Sequence, residues 1–483
     1  MRYRNRKIVV LSATIILFSF VLVFVTSDER YVALPGFACL FMVLWLWMTL
    51  WDRDQRIPFF DIGIFCSFAT LIYTVYPLIN YWAGDMQFGE FSDSRLQSFK
   101  ITPVELGLFH LRHIIYLLSF VVFYSCFRAK SVLIVGNVIS PNPATRKRII
   151  LCFLAITAYL LFLQNISGVN TNVSYESNAM EQNLKNIANL PLVIVQITGK
   201  LVGILFLFKL GFLLIIFSRI KEGKWFFILP LWVLAELISA YFIKGARTES
   251  MLFFMSVLLL YHRMIKPFTM NKLVALSSLL LTLFIFSGIY RSYDSFRTLQ
   301  IDFSQTQGGI FSANNEFQSL LATAYDVMQR MRNSDYFPFY LSFNDVIGVL
   351  PPQQILPFTK TTASEWYLQE LGLSKTGCGF MWGVISQSIV GFGLWELFLR
   401  GAFLGYLLAR FHNWYLKHQV EFLATVVYVY FCLKVYYTFR DTTGSLLSNL
   451  VWEIIPFLIL LRISNYSSVN VDLRRPKADD REI

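Results

Sequence analysis

The feature that most constrains this chain is the recurrence of apolar runs about twenty residues long, such as "IVVLSATIILFSFVLVFV" at residues 8–25. A helix of roughly 20 residues rising about 1.5 Å per residue crosses the ~30 Å hydrocarbon core of a bilayer. A water-soluble domain has no use for so many. Runs of this kind fall near 8–26, 31–51, 57–82, 104–127, 149–166, 190–218, 225–243, 249–265, 273–290, 382–411, 420–439 and 446–463. The sixth is long and carries Lys200 and Lys209; the tenth reads either as one span or as a short re-entrant piece followed by a helix. The expected fold class is all-α, a polytopic membrane protein of about twelve transmembrane helices. With 56% hydrophobic and 15% charged residues in 483, the composition agrees.

Charge orients the bundle. With an even number of spans and both termini in the cytoplasm, the inside segments are "MRYRNRK", "DRDQR", "RAK…TRKR", "RIKEGK", "HRMIKPFTMNK", "RFHNWYLKH" and the tail with "LRRPK". All carry Lys or Arg, which is what the positive-inside rule counts. The net charge of +12 is thereby explained by topology and gives no reason to expect a nucleic-acid partner. The first run lacks a small-residue cleavage site, so it is expected to anchor the chain. Six scattered cysteines without a CxxC pair exclude a disulfide framework and a cysteine-based zinc site.

One external segment, 291–381, is far longer than an ordinary connection. Within it Phe317, Leu320, Leu321, Ala324, Met328 and Met331 share a helical face. "TASEWYLQELG" opens with Thr362 and Glu365 at capping-box spacing and closes on Gly372. A folded cap over the membrane helices is expected. The organisation is then a membrane bundle over 1–290, the cap over 291–381, further membrane helices over 382–463, and a cytoplasmic tail over 464–483.

Cations stand where that topology expects fewest. Lys244 and Arg247 occupy an external helix turn, and Arg291 and Arg440 the external ends of two further spans. Ionisable groups at such positions commonly face a bundle interior or a pathway; for each alone, snorkelling to lipid headgroups is the alternative. A guanidinium fork suits phosphate, so a basic pocket for a lipid-linked pyrophosphate is the expectation.

The C-terminal half, about 235–463, carries "KGARTES", "YRSYDSF", "DVIGVLPPQQILPFTK", "TGCGFMWGVISQSIVGFGLWELFLRGAFLGYL" and "FRDTTGSLLSNL" in order around the long loop. In these the chain resembles the Wzy-type O-antigen and oligosaccharide repeat-unit polymerases, including the enterobacterial common antigen polymerase. The resemblance implies a GT-C-like architecture in the bacterial inner membrane and glycosyl transfer on its periplasmic face. Undecaprenyl-pyrophosphate-linked oligosaccharides would be donor and acceptor, and a chain-length-regulating co-polymerase a partner. It implies Arg247, Arg291 and Arg440, with Lys244 and Lys200, as pyrophosphate ligands. No cofactor is called for, and no external His–carboxylate cluster has metal-ligand spacing.

An acceptor hydroxyl calls for a general base. Asp345, Glu316 and His113 are the candidates, with Asp326 and Glu365 also in the loop; Glu365 is equally explained as a helix cap. His110 and His113 share a helix face, where an interhelical hydrogen bond is the plainer role. O-antigen ligases resemble this architecture but use a loop histidine, and the loop here has none. A flippase or transporter for the same lipid-linked glycan is the remaining alternative.

Overall fold

The computed structural model describes residues 34–54, 58–82, 103–130, 138–167, 186, 190–238, 247–269, 271–272, 275–276, 316–332, 339–343, 347, 349–350, 356–357, 361–370, 382–441 and 444–462. Among these the regular structure is all helical. In chain order the helices are α1 (Leu34–Asp54), α2 (Ile62–Trp82), α3 (Pro103–Phe127), α4 (Pro143–Ser167), α5 (Leu192–Lys221), α6 (Ile228–Ile238) and α7 (Arg247–Met264). They continue with α8 (Glu316–Arg332), α9 (Ala363–Glu370), α10 (Gly383–Val390), α11 (Leu394–His418), α12 (Phe422–Lys434), α13 (Tyr437–Arg440) and α14 (Gly444–Asn449). A π turn, Leu450–Ile454, then leads into α15 (Ile455–Arg462).

Among the described residues, five stretches are long and apolar enough to cross a membrane: Glu105–Phe127, Pro143–Ser167, Ile197–Lys221, Phe422–Arg440 and Gly444–Arg462. Two helices show apolar outward faces. On α4, Leu154, Leu161, Phe162 and Ile166 stand exposed, and α11 presents Trp395, Leu399 and Phe403 in the same way. Such faces suit lipid, where apolar exposure carries no hydration cost. The expected run near 8–26 lies outside the described residues, as does nearly all of 273–290. The tenth run is not one helix. It breaks at Gly391–Gly393 into the short α10 and the long α11.

The tightest helix pair is α3 against α11. The small residues Gly401 and Gly405 let α11 approach the α3 backbone, and a Cβ on Gly405 would lie 2.5 Å from the Phe120 carbonyl oxygen. Between helices already surrounded by apolar groups, close backbone approach maximises van der Waals contact.

One end of the bundle gathers the basic connections. There Asn413 donates to the Phe127 carbonyl at 2.8 Å and accepts from the Ala129 amide at 2.7 Å. Arg263, fully buried, donates to Tyr415 Oη at 2.9 Å and to the Gln419 carbonyl at 2.6 Å. Arg128 reaches two carboxylates, Asp61 at 2.8 Å and Asp54 at 3.3 Å, and Tyr124 donates to the other oxygen of Asp61 at 2.7 Å. Tyr428 accepts from the Ile62 amide at 3.1 Å and pairs with His412 at 2.6 Å. Helices α1, α2, α3, α11 and α12 are thus fastened by one buried polar cluster.

At the other end lies the cap. Leu320, Leu321 and Ala324 of α8 are buried as their periodicity predicts, and α8 packs on α2 and α10. Both bonds of the capping box form: the Glu365 amide donates to Thr362 Oγ1 at 3.3 Å, and the Thr362 amide to Glu365 Oε2 at 2.7 Å. A small second core of Val327, Leu341, Tyr367, Trp382 and Val390 joins the cap to α10. Asp326 sits within it, accepting from Arg330 at 2.8 Å and from Tyr367 Oη at 2.6 Å. That carboxylate holds the cap together.

Candidate functional site

At the cap end, α12 stops at Lys434, the chain turns through Val435 and Tyr436, and the single turn of α13 ends on Arg440. Asp441 then turns the backbone away (φ −105°, ψ −101°), its amide donating to the Tyr437 carbonyl at 2.8 Å. The Arg440 guanidinium lies 5.9 Å from the Tyr437 ring centroid. Lys434 Nζ lies 5.0 Å from that same ring and 5.7 Å from Phe206 of α5. Four residues before Lys434, and so on the same helix face, Tyr430 packs on Phe206 and donates a short hydrogen bond to Glu453.

Glu453 belongs to the π turn, a local underwinding that re-aims side chains and recurs at functional sites. Its carboxylate fills the space beside Gly203, where a Cβ would collide with it. One turn before Gly203, Lys200 is exposed, with Nζ 5.3 Å from the Trp452 ring centroid. A continuous seam of contacts therefore runs from Lys200 through Trp452, Glu453, Tyr430, Phe206, Lys434 and Tyr437 to Arg440. Three cations and the Glu453 carboxylate line it, interleaved with aromatic faces.

The cap closes on the Arg440 end of this seam. Gly383, the first residue of α10, has φ +69°, in the left-handed region that glycine enters without strain. A Cβ there would lie 2.6 Å from Leu320 of α8 and 3.4 Å from the Phe439 carbonyl oxygen. Cap helix, α10 and the end of α13 meet at this point. Beside it a narrow space between α3, α8 and α10 is bordered by Glu105, Arg112, Tyr325 and Met328, and Gln329 bridges to Glu105 at 3.2 Å.

Of the residues expected from sequence, Arg440 and Lys200 lie on the one seam. Arg247 is the first residue of α7 and Glu316 the first of α8, and their side chains are outside the described residues; Lys244, Arg291 and Asp345 lie outside them altogether. His113 is buried in α3. Its Nδ1 bonds the Phe109 carbonyl at 3.0 Å and its ring stands 5.1 Å from that of Phe439, the neighbour of Arg440. His110 makes the interhelical bond expected for it, to the Thr74 carbonyl at 3.0 Å.

Lys434, Asp441, Glu453 and Tyr430 were not anticipated. Two carried a signal: Lys434 and Glu453 are isolated charges inside apolar runs, positions that call for a partner or a role. Asp441 is partly buried, and its carboxylate accepts no hydrogen bond from the described residues. Burial pushes its carboxyl above the usual aspartate range, against the opposing pull of Arg440 and Lys434.

Chemically, such a seam can hold a phosphate-bearing amphiphile, with cations for the anion and aromatics for its organic part. Among the described residues no group of three or more His, Cys, Asp or Glu side chains could hold a metal ion. These observations define an all-helical chain with, among the described residues, five helices long and apolar enough to cross a membrane, and with α8 and α9 packed at one end of the bundle. No protein-family model, no curated protein and no solved structure matches the chain.

Proposed function

We propose that this chain is a glycosyltransferase that polymerises undecaprenyl-pyrophosphate-linked oligosaccharide repeat units at the periplasmic face of the bacterial inner membrane. The observation that carries this reading is the seam from Lys200 to Arg440, cationic and aromatic, ending beneath the cap. In the proposed topology the basic end faces the cytoplasm, the cap faces outward, and about twelve spans form a GT-C-like bundle. Arg440 and Lys200, joined by Lys434 and by Arg247, Arg291 and Lys244, bind the pyrophosphate.

In the reaction the bond between the sugar anomeric carbon and the phosphate oxygen breaks. A new bond forms from that carbon to a hydroxyl of the incoming repeat unit. Undecaprenyl pyrophosphate leaves with the electron pair, and the guanidinium and ammonium groups neutralise the charge that develops on it. Each such charge-assisted contact is worth on the order of 3 kcal/mol in the barrier, about a hundredfold in rate. Aromatic faces such as Trp452 and Tyr437 suit the sugar rings.

A flippase for the same lipid is favoured by one observation, the pair of Lys209 and Glu236 at 2.5 Å between α5 and α6, a charged contact within the spanning region. One experiment separates the two. The purified full-length protein is incubated with lipid-linked repeat units extracted from cells of its source that lack it. A ladder of products differing by one repeat unit supports polymerisation. Transfer onto lipid A core identifies a ligase, and unchanged glycan moved across a vesicle bilayer identifies a flippase.

A further inference from the structure

We propose that Asp441 is the general base of this site, taking the proton from the acceptor hydroxyl as that oxygen attacks the anomeric carbon; the assignment rests on the glycosyl-transfer reading above. The hydroxyl oxygen gains the bond to carbon, its proton passes to the Asp441 carboxylate, and the pyrophosphate departs with the bonding pair. The protonated carboxyl then returns its proton to solvent, so the step needs no other reactant.

Three features of the site carry it. Asp441 directly follows Arg440, so their Cα atoms are about 3.8 Å apart, and a base and a leaving-group ligand must share one pocket for an in-line displacement. The backbone break at Asp441 ends the helix there, taking the carboxylate off the helical path of the Tyr437–Arg440 turn. Other carboxylates nearby are engaged: Asp326 by Arg330 and Tyr367, Glu365 by the cap of α9, and Glu453 by Tyr430. The Asp441 carboxylate receives no hydrogen bond from the described residues and keeps its lone pairs for a substrate.

The electrostatic setting is consistent with that role. Arg440 and Lys434 are the charges acting on Asp441; of the helices packed on α13, α10 and α14 bring no ionisable side chain, and α2 brings Tyr73, packed on Phe439, and Cys66, beside Thr438. Burial outweighs the two cations and raises the carboxyl pKa, which makes a better proton acceptor than an exposed aspartate.

The test uses the purified full chain and the extracted lipid-linked repeat units, comparing wild type with Asp441→Asn and Asp441→Glu at matched thermal stability. Asp441→Asn is expected to lower kcat by about 100-fold or more, with KM changed less than about threefold. Asp441→Glu, which restores a carboxylate, is expected to recover at least about tenfold of that loss. Wild-type kcat should rise with pH through a midpoint above the ordinary aspartate value of about 3.9, and the Asn variant should lack that limb. An Asn variant within about fivefold of wild type overturns the assignment while leaving polymerisation intact. So does an equal loss in Asn and Glu with no change in pH profile. A wild-type protein that forms no ladder overturns the polymerase reading itself, and this step with it.

Discussion

Arg128 and Asp61 are bound to each other at 2.8 Å with both side chains almost wholly buried, 67 residues apart in the chain. The ion pair joins the end of α3 to the start of α2, and the second contact, to Asp54, brings in α1. A buried pair of this kind stabilises less than its Coulomb energy suggests, because both ions lose water; removing one partner is what costs, since it strands a charge. Arg128→Met strands two carboxylates. It should lower stability by about 3–5 kcal/mol, seen as an earlier thermal transition in detergent. Replacing Asp54 and Asp61 by Asn in the same protein should recover most of that loss. An Arg128→Met protein that melts with wild type would show the cluster to be incidental.

Gly203 and Glu453 can be tested as a pair. A methyl group at Gly203 must push the Glu453 carboxylate off Tyr430. Leaving those polar groups without each other should cost about 1–3 kcal/mol. In a Glu453→Ala background the obstacle is gone, so Gly203→Ala should then cost almost nothing. Equal costs in both backgrounds, measured as a double-mutant cycle, would mean that the π turn is not seated against α5 in this way.

The orientation of the bundle makes a separate prediction. In a protein whose native cysteines have been replaced, a cysteine at Gln369, exposed on α9, should react with a membrane-impermeant thiol reagent on intact spheroplasts. A cysteine at Ser140, exposed at the basic end where it meets Ser218, should react only after the membrane is opened. The reverse pattern would move the cap and the Arg440 end of the seam to the cytoplasmic side.

Much of the scaffold was legible in the sequence because its signals are local. Apolar runs mark helices by length alone, five of them among the described residues long enough to cross a bilayer, and the capping box between Thr362 and Glu365 is a three-residue relation that forms as written. The buried face of α8 follows from the spacing of Leu320, Leu321 and Ala324. Long-range partners were not legible. Nothing near Asp61 in the chain announces Arg128, and nothing near Glu453 announces Tyr430, 23 residues away, or the gap at Gly203. The π turn also escapes a reading based on a 3.6-residue period, since it shifts every later side chain on its helix. Arg440 and Lys200 were recognisable as cations out of place, but their connection through Lys434 depends on how α5 packs on α12.

Arg440 is where the proposed pyrophosphate contact can be tested most directly. The rate of repeat-unit transfer by purified wild type, Arg440→Lys and Arg440→Ala, on extracted lipid-linked repeat units, is the decisive measurement. A bidentate pyrophosphate contact predicts about a hundredfold loss for Ala, and at least about a tenfold loss for Lys, which keeps the charge without the fork. Protein amount and thermal stability should stay near wild type in both. If both variants extend the glycan at close to the wild-type rate, Arg440 is an interfacial anchor and the seam does not hold the leaving group.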